Sequence, residues 1–525
     1  MPRRVPFHTA ARALALALLA LVPAGCASRG APPTRFIWVV GQGCPSFDPQ
    51  GPPDPVRWAL ERLRSRGLVE RDSAGHIVPM AADRFEVTPD SLTWTFHLRE
   101  GLAFTDGTPC TSADFERAIR AGLARRDHST VRWLLGAVAG LDRARPGHAP
   151  APIGVATPDP RTLVLRLARP DRRLLDALAL PGVAVPWRAP PSSHDWAVGL
   201  GPYAPVSVSE SRWTLARSRH AAWLTGPRGA IADSVQVRFV VGAGRLHVLL
   251  RAGVPDLAWP LPPGLLDLPR PPGYQVVGRD PTPPRRLLLV MRADLPPTSK
   301  PAARQVLAHG LNRADVAAHL GALGGAPSAW LVGGTPFDFP VRSEEEVRGW
   351  LERGKLGRSM HVVLVYSADG VAGEVVRDLQ IGWATLGLDV ELQPVRATAF
   401  GARALNPVGA HLLLVEEQAL LDDPAAELAG MVMPMRDPPV GGMRTGWRTR
   451  EFDPWIAPGP PRTSFDRMFV ERRLGEEWIV LPLAALRWTW MQRIGGPDAP
   501  FHPRFGPAGD PPTRGSVAVS TRLSR

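Results

Sequence analysis

The stretch SLTWTFHLREGLAFTDGTPCTSADF, ending at Phe115, constrains this chain more than any other. Leu92, Trp94, Phe96 and Leu98 alternate with Thr93, Thr95, His97 and Arg99, the period of a half-buried strand. Asp106-Gly107-Thr108-Pro109 then reads as a turn, because Gly tolerates positive φ and Pro removes a donor. Thr111 to Asp114 reads as a capped helix start, with Phe115, Ile119 and Leu123 on one helical face. Local physics alone gives strand, turn and helix.

The N-terminal segment reads as a targeting signal. Arg3, Arg4 and Arg12 precede the ten apolar residues Ala13 to Val22, and a bilayer span needs about 20. The small residues Ala24-Gly25 before Cys26 suit a lipoprotein signal peptidase, which makes Cys26 the expected lipidation site. The other reading is an ordinary secretory signal. Either way the remaining 500 residues (525 − 25) exceed one core, so two or three lobes are expected outside the cytoplasm. Cys44 and Cys110 either pair in that oxidising compartment or stay separate thiols.

The formal charge of +13 invites a nucleic-acid reading. Lys300 and Lys355 are the only lysines, and the arginines form no stripe with interleaved aromatics. A mildly basic, solvated surface accounts for the charge, and no nucleic-acid partner is expected.

The run around Leu92 to Phe115 closely resembles the most recognisable segment of the extracytoplasmic solute-binding proteins of the oligopeptide/dipeptide type, family 5, the binding components of ABC importers. Leu68-Val69-Glu70 with Ile77-Val78-Pro79, Gly199-Leu200-Gly201-Pro202-Tyr203, Arg251 to Leu257, Arg304 to Arg313 and Trp478 to Leu483 extend the likeness over residues 36–495. The resemblance implies a two-lobed periplasmic-binding-protein-like α/β fold of class II type with an extra subdomain. The expected parts are signal 1–25, tether 26–34, lobe I from 35–54, 186–279 and 478–525, its subdomain 55–185, and lobe II 280–477. Crossings between lobes are expected near Arg285 to Ala293 and Trp478 to Leu483. The pattern around Val362 to Leu392 itself predicts one βαβ unit with parallel strands.

No G-x-S-x-G, P-loop, G-x-G-x-x-G after a strand, H-E-x-x-H or C-x-x-C occurs, and the 13 histidines are dispersed. Glu416-Glu417 and Asp422-Asp423 are sequence neighbours, which point apart on a strand and read as solvated pairs. A binding protein with no catalytic residue, metal or cofactor is expected, rather than an enzyme.

The resemblance implies a cleft lined by Gly41, Gln42, Gly43, Tyr203, Glu416, Glu417 and Leu420. Aligned on Asp423-Pro424, Leu420 falls where peptide-binding members place the Asp that pairs with the ligand's amine, and Glu417 where they place a Trp. A buried ammonium facing Leu420 loses its charge partner, unless Asp422 takes the role. The implied partners are a peptide-like or other small solute, ABC permease and ATPase subunits, and a membrane met only through the lipid; a monomer is expected. The alternative is a degenerate binding scaffold acting as a sensor or as a partner of other envelope proteins.

Overall fold

The computed structural model describes residues 34–502 and 506–507, except 46–53, 73–74, 125–129, 142–152, 189–197, 225–231, 282–283, 326–328, 332, 335–341, 355, 357–359, 406, 419, 422, 433–444, 448, 457–465 and 497–500. Cys26 and Asp422 therefore lie outside the described residues. The described residues from Arg35 onward form one compact unit.

The strands in chain order are β1 (Arg35–Val40), β2 (Val69–Arg71), β3 (Ile77–Pro79), β4 (Ala82–Val87), β5 (Thr93–Leu98), β6 (Val155–Asp159), β7 (Thr162–Arg166), β8 (Tyr203–Val208), β9 (Arg212–Arg217), β10 (Ser234–Phe239), β11 (Leu257–Ala258), β12 (Tyr274–Arg279), β13 (Arg285–Met291), β14 (His361–Ser367), β15 (Asp389–Val395), β16 (Leu412–Gln418), β17 (Val480–Leu486) and β18 (Trp488–Arg493). They build a seven-stranded sheet β12-β18-β11-β1-β10-β9-β8, a five-stranded sheet β15-β14-β16-β13-β17, a four-stranded sheet β4-β5-β7-β6 and a two-stranded pair β2-β3.

The diagnostic stretch folds as its pattern predicts. β5 lies antiparallel between β4 and β7, with Phe96 opposite both Phe85 and Leu163. Phe96, Leu98, Leu163 and Leu165 are buried under Phe115, Ile119 and Leu123 of helix Ser112–Ala124. The turn holds because the Asp106 carboxylate accepts the Thr108 N–H at 3.0 Å and Gly107 takes a φ of 88°. Asp114 accepts the Thr111 N–H at 2.8 Å, fixing the helix start.

The seven-stranded sheet is covered on both faces. Phe36, Trp38 and Val40 point to one cluster, and Ile37 and Val39 to another. Helix Pro55–Arg64 is N-capped by Asp54, which accepts the Arg57 N–H at 2.6 Å. Its Val56, Ala59, Leu60 and Leu63 pack on this sheet, whereas Trp58 joins the four-stranded subdomain's core. The helix therefore bridges the first lobe and the subdomain, where the sequence reading places it in the subdomain alone. Two-faced packing is the reason: one helix has room for two apolar stripes, and the wider one faces the sheet.

In the five-stranded sheet β14 runs parallel to β15 and β16, and helix Ala372–Thr385 joins β14 to β15. This is the expected βαβ unit. β13 pairs antiparallel with both β16 and β17. The C-terminal strands divide between the lobes. β17 belongs to the five-stranded sheet and β18 to the seven-stranded one, so the return crossing falls at Arg487 rather than within Trp478 to Leu483, and the first, between β12 and β13, precedes the expected Arg285 to Ala293. Residues 480–484 are buried without alternation, and such a run fits any sheet interior equally well. The two crossings run side by side, since Arg279 pairs with Trp488 in one sheet and Arg285 with Leu486 in the other. Arg487 Nε sits 3.0 Å from the Asp280 carboxylate between them.

Cys44 and Cys110 are free thiols. Cys110 is in the subdomain core and Cys44 beside the seven-stranded sheet. Burial, more than the neighbouring Glu210, pushes the Cys44 thiol up to about 12. Among the described residues no helix is long and apolar enough to cross a membrane.

Candidate functional site

Beside the crossings at Arg285 and Arg487 lies a partly open cavity of about 420 Å³, here termed the hinge cavity, with walls from both sheets. β1 delivers the first wall. At Gly41 its backbone N–H donates to the Pro260 carbonyl at 3.1 Å. A Cβ there would stand 2.2 Å from that oxygen and 2.6 Å from Pro262 Cδ, so only Gly permits the approach. The next residue, Gln42, lines the cavity at 6% exposure, and its amide Nε2 is without a hydrogen-bond partner. Trp259 backs this wall. It stacks on Trp38 at 6.0 Å and meets Trp488 edge-on at 5.3 Å.

β14 and β16 deliver the second wall. β14 ends at Ser367, and residues 368–371 turn into helix Ala372–Thr385. Ligand sites in open α/β sheets gather at such carboxyl ends of parallel strands. Asp369 accepts the Ala397 N–H at 3.0 Å and so caps helix Ala397–Leu405. Glu416 accepts the Ala372 N–H at 3.1 Å at the start of the crossover helix and forms an ion pair with Arg285. The Arg285 guanidinium lies 4.6 Å over the Trp488 ring, which joins the charged second wall to the aromatic first. Burial pulls Arg285 below its ordinary value, and Glu416 works against that pull. Across the cavity, burial raises the Asp54 carboxyl, while the Arg57 N–H and guanidinium oppose the rise.

Of the residues named from sequence, Gln42 and Glu416 line the cavity. Gly41 and Gly43 belong to the same loop without lining it. Tyr203 is 1% exposed in the first lobe's core, where its hydroxyl accepts the Ala232 N–H at 3.1 Å. The Gly199–Tyr203 turn serves the helix beside it, not the cavity. Gly201 N–H donates to the Arg64 carbonyl at 2.7 Å, and a Cβ at 201 would stand 2.2 Å from the Arg64 carbonyl carbon. Glu417 faces the other side of β16 and pairs with Arg286 at 2.7 Å. Leu420 packs against the subdomain core.

Sequence reading missed Arg285, Ser367, Asp369, Trp259, Phe400 and Trp488, which all line the cavity. Ser367-Ala368-Asp369-Gly370 carried a usable signal, a turn between an apolar strand and a helix inside a βαβ unit. Trp259 and Trp488 carried none. Among the described residues no group of His, Cys, Asp or Glu is disposed to hold a metal ion.

Residues 76–411 match the model of the bacterial extracellular solute-binding proteins, family 5, more than half of the chain. The chain belongs to this family. It is a family of binding proteins whose description places them outside the cytoplasm. The periplasmic oligopeptide-binding protein OppA of Escherichia coli K12 is 32% identical over 160 residues, which are 30% of this chain and 28% of that relative. In fold, the chain is similar to Haemophilus influenzae OppA in complex with the peptide RPPGFSPFR, with a TM-score of 0.72 at 17% identity over 91% of this chain and 98% of that one. It is likewise similar to AgaA of A. tumefacien R10 in complex with agropinic acid, with a TM-score of 0.70 at 18% identity over 88% and 94%. The two-lobed family 5 fold is therefore the fold of this chain.

Proposed function

We propose that this chain is the solute-capturing component of an ABC importer, tethered outside the cytoplasm by lipid on Cys26, and that its solute occupies the hinge cavity. The observation that carries this reading is the cavity's construction: Gln42 and Asp54 come from one lobe, and Asp369 and Glu416 from the other. A solute touching both walls favours closure by its contacts to both at once. The volume of about 420 Å³ sits at the small end of the roughly 300–1,000 Å³ range of ligand sites, which argues for a compact solute over an extended peptide. The described lining carries three arginines (Arg57, Arg285, Arg487) and three carboxylates (Asp54, Asp369, Glu416), a formal sum of 3 − 3 = 0. A net-neutral or zwitterionic solute fits that balance, because it leaves no buried charge unmatched. The buried Gln42 amide supplies a donor for a solute oxygen.

Native mass spectrometry of the purified protein tests the reading. We expect one compact solute bound per chain, retained less well by Gln42→Ala at unchanged melting temperature. Equal retention by Gln42→Ala and wild type, or a retained solute of peptide length with a free amine essential for binding, would overturn it.

A further inference from the structure

The sheet of the first lobe carries a group of arginines that the hinge cavity does not use. Arg238 of β10 stands directly opposite Arg212 of β9, so the two share one face of the sheet. Arg35 opens β1 on the same face, in register with Ser234 of β10. Arg35 and Arg212 are exposed, and Arg238 is half-buried with its Nε donating to the Gln236 side-chain oxygen at 2.7 Å. Burial first, then Arg212 and Arg35, pull Arg238 below its ordinary value. The carboxylates around these strands are engaged elsewhere. Asp233 lies 3.3 Å from Arg217, and Asp256 accepts the Ile37 N–H at 2.8 Å and lies 3.4 Å from Arg493. Glu210, in the β8–β9 turn, acts on Cys44 on the sheet's other face. Among the described residues none of the three arginines has an ion-pair partner. Like charges directly opposite on antiparallel strands destabilise a sheet, so the fold bears this repulsion without an offset of its own.

We propose that Arg35, Arg212 and Arg238 form a contact surface for an anionic phospholipid bilayer. This rests on the lipid anchor at Cys26 proposed above. Cys26 precedes Arg35 by nine residues (35 − 26 = 9), a reach of about 30 Å at full extension. β1, into which the tether leads, therefore stays within that reach of the anchoring membrane. Headgroup phosphates supply the negative charge that the three arginines lack. Their attraction acts within a Debye length, about 10 Å, and the short tether lets the surface sample that layer continually. The tether alone leaves the molecule free to turn. A second, electrostatic contact holds one face of the first lobe toward the bilayer.

Vesicle flotation of the chain from Ala27 onward, which carries no lipid and keeps the compact unit that begins at Arg35, tests the surface. It should float with phosphatidylcholine vesicles that contain phosphatidylglycerol, come off as salt rises, and ignore vesicles of phosphatidylcholine alone. Arg35→Gln, Arg212→Gln and Arg238→Gln together should weaken binding roughly a hundredfold. Arg84→Gln, Arg117→Gln and Arg348→Gln together remove the same charge from exposed positions elsewhere. They should leave binding within about twofold of wild type, because charges beyond a Debye length of the bilayer are screened. Arg212→Glu turns the repulsive pair with Arg238 into an opposite-charge pair, so it should lose binding with no loss of melting temperature. A wild type that ignores phosphatidylglycerol vesicles overturns the proposal in favour of an acidic protein partner. Equal losses in the two triple variants overturn it in favour of net charge. The mass of the N-terminal peptide of the membrane-extracted protein reads lipid on Cys26 separately, so a missing anchor and a failed surface are told apart.

Discussion

At the scale of single residues, Arg285 and Arg286 show how one step along a strand changes a side chain's task. Arg285 faces the cavity, paired with Glu416 and lying over Trp488. Arg286 points into the second lobe at 1% exposure and contacts both Glu417 and Glu427. Removing the buried guanidinium leaves two carboxylates facing each other in an apolar surround. Arg286→Met should therefore cost about 3–5 kcal/mol in urea unfolding. Replacing all three together (Arg286→Met, Glu417→Leu, Glu427→Leu) should recover most of that loss, because a well-packed apolar cluster needs no charge balance. A triple variant as unstable as Arg286→Met would mean the ion triad itself stabilises the lobe. The Glu416-Glu417 pair was visible in the sequence, but which member faces the cavity was not. Period two puts the two on opposite faces, and only the placement of β16 between β13 and β14 says which face is which.

At the scale of elements, the legible parts are those whose signals are local. The alternation of β5, the Asp106 turn and the Asp114 cap lie within some twenty residues of one another, and each appears where its pattern predicts. The crossover helix Ala372–Thr385 was readable from Val375, Val376, Leu379 and Trp383, all of them buried. Trp383 joins that helix to its neighbour, since its indole N–H donates to the Leu307 carbonyl at 2.9 Å. Trp383→Ala should destabilise the second lobe by about 3–5 kcal/mol, the cost of a large core truncation. Differential scanning calorimetry should show the loss, and a change under about 1 kcal/mol would mean the helices collapse freely around the gap. Sheet membership was not legible. β17 and β18 are separated by Arg487 alone yet serve different lobes, and Tyr203 reads the same in a core as in a cleft. The sheet membership of β17 and β18 is settled by partners more than a hundred residues away in sequence, as in the pairing of Val290 with Val480.

At the scale of the molecule, contacts between the lobes add to the paired crossings that connect them, and part of that joint responds to pH. Glu374 of the second lobe accepts the Gly264 N–H of the first. Burial raises its carboxyl above the ordinary value of 4.5, and nearby Asp267 adds to the rise. The Gly264 hydrogen bond and His319 pull the other way, and His319 is itself 2.7 Å from Asp378. A carboxyl with a raised folded value binds its proton more tightly in the folded protein. Its stabilising contribution is therefore complete below 4.5 and is lost as pH climbs through the raised value. At neutral pH the ionised Glu374 opposes the contact that its own hydrogen bond supports. Glu374→Gln keeps an oxygen for Gly264 and discards the charge. We expect the variant to melt above the wild type at pH 7, with the gap narrowing as pH falls through the carboxyl's raised value and closing below 4.5. Thermal melts across that range decide the matter. A variant that melts below the wild type at pH 7 would show that the ionised carboxylate's stronger hydrogen bond outweighs its desolvation, and that Glu374 fastens the lobes as an anion.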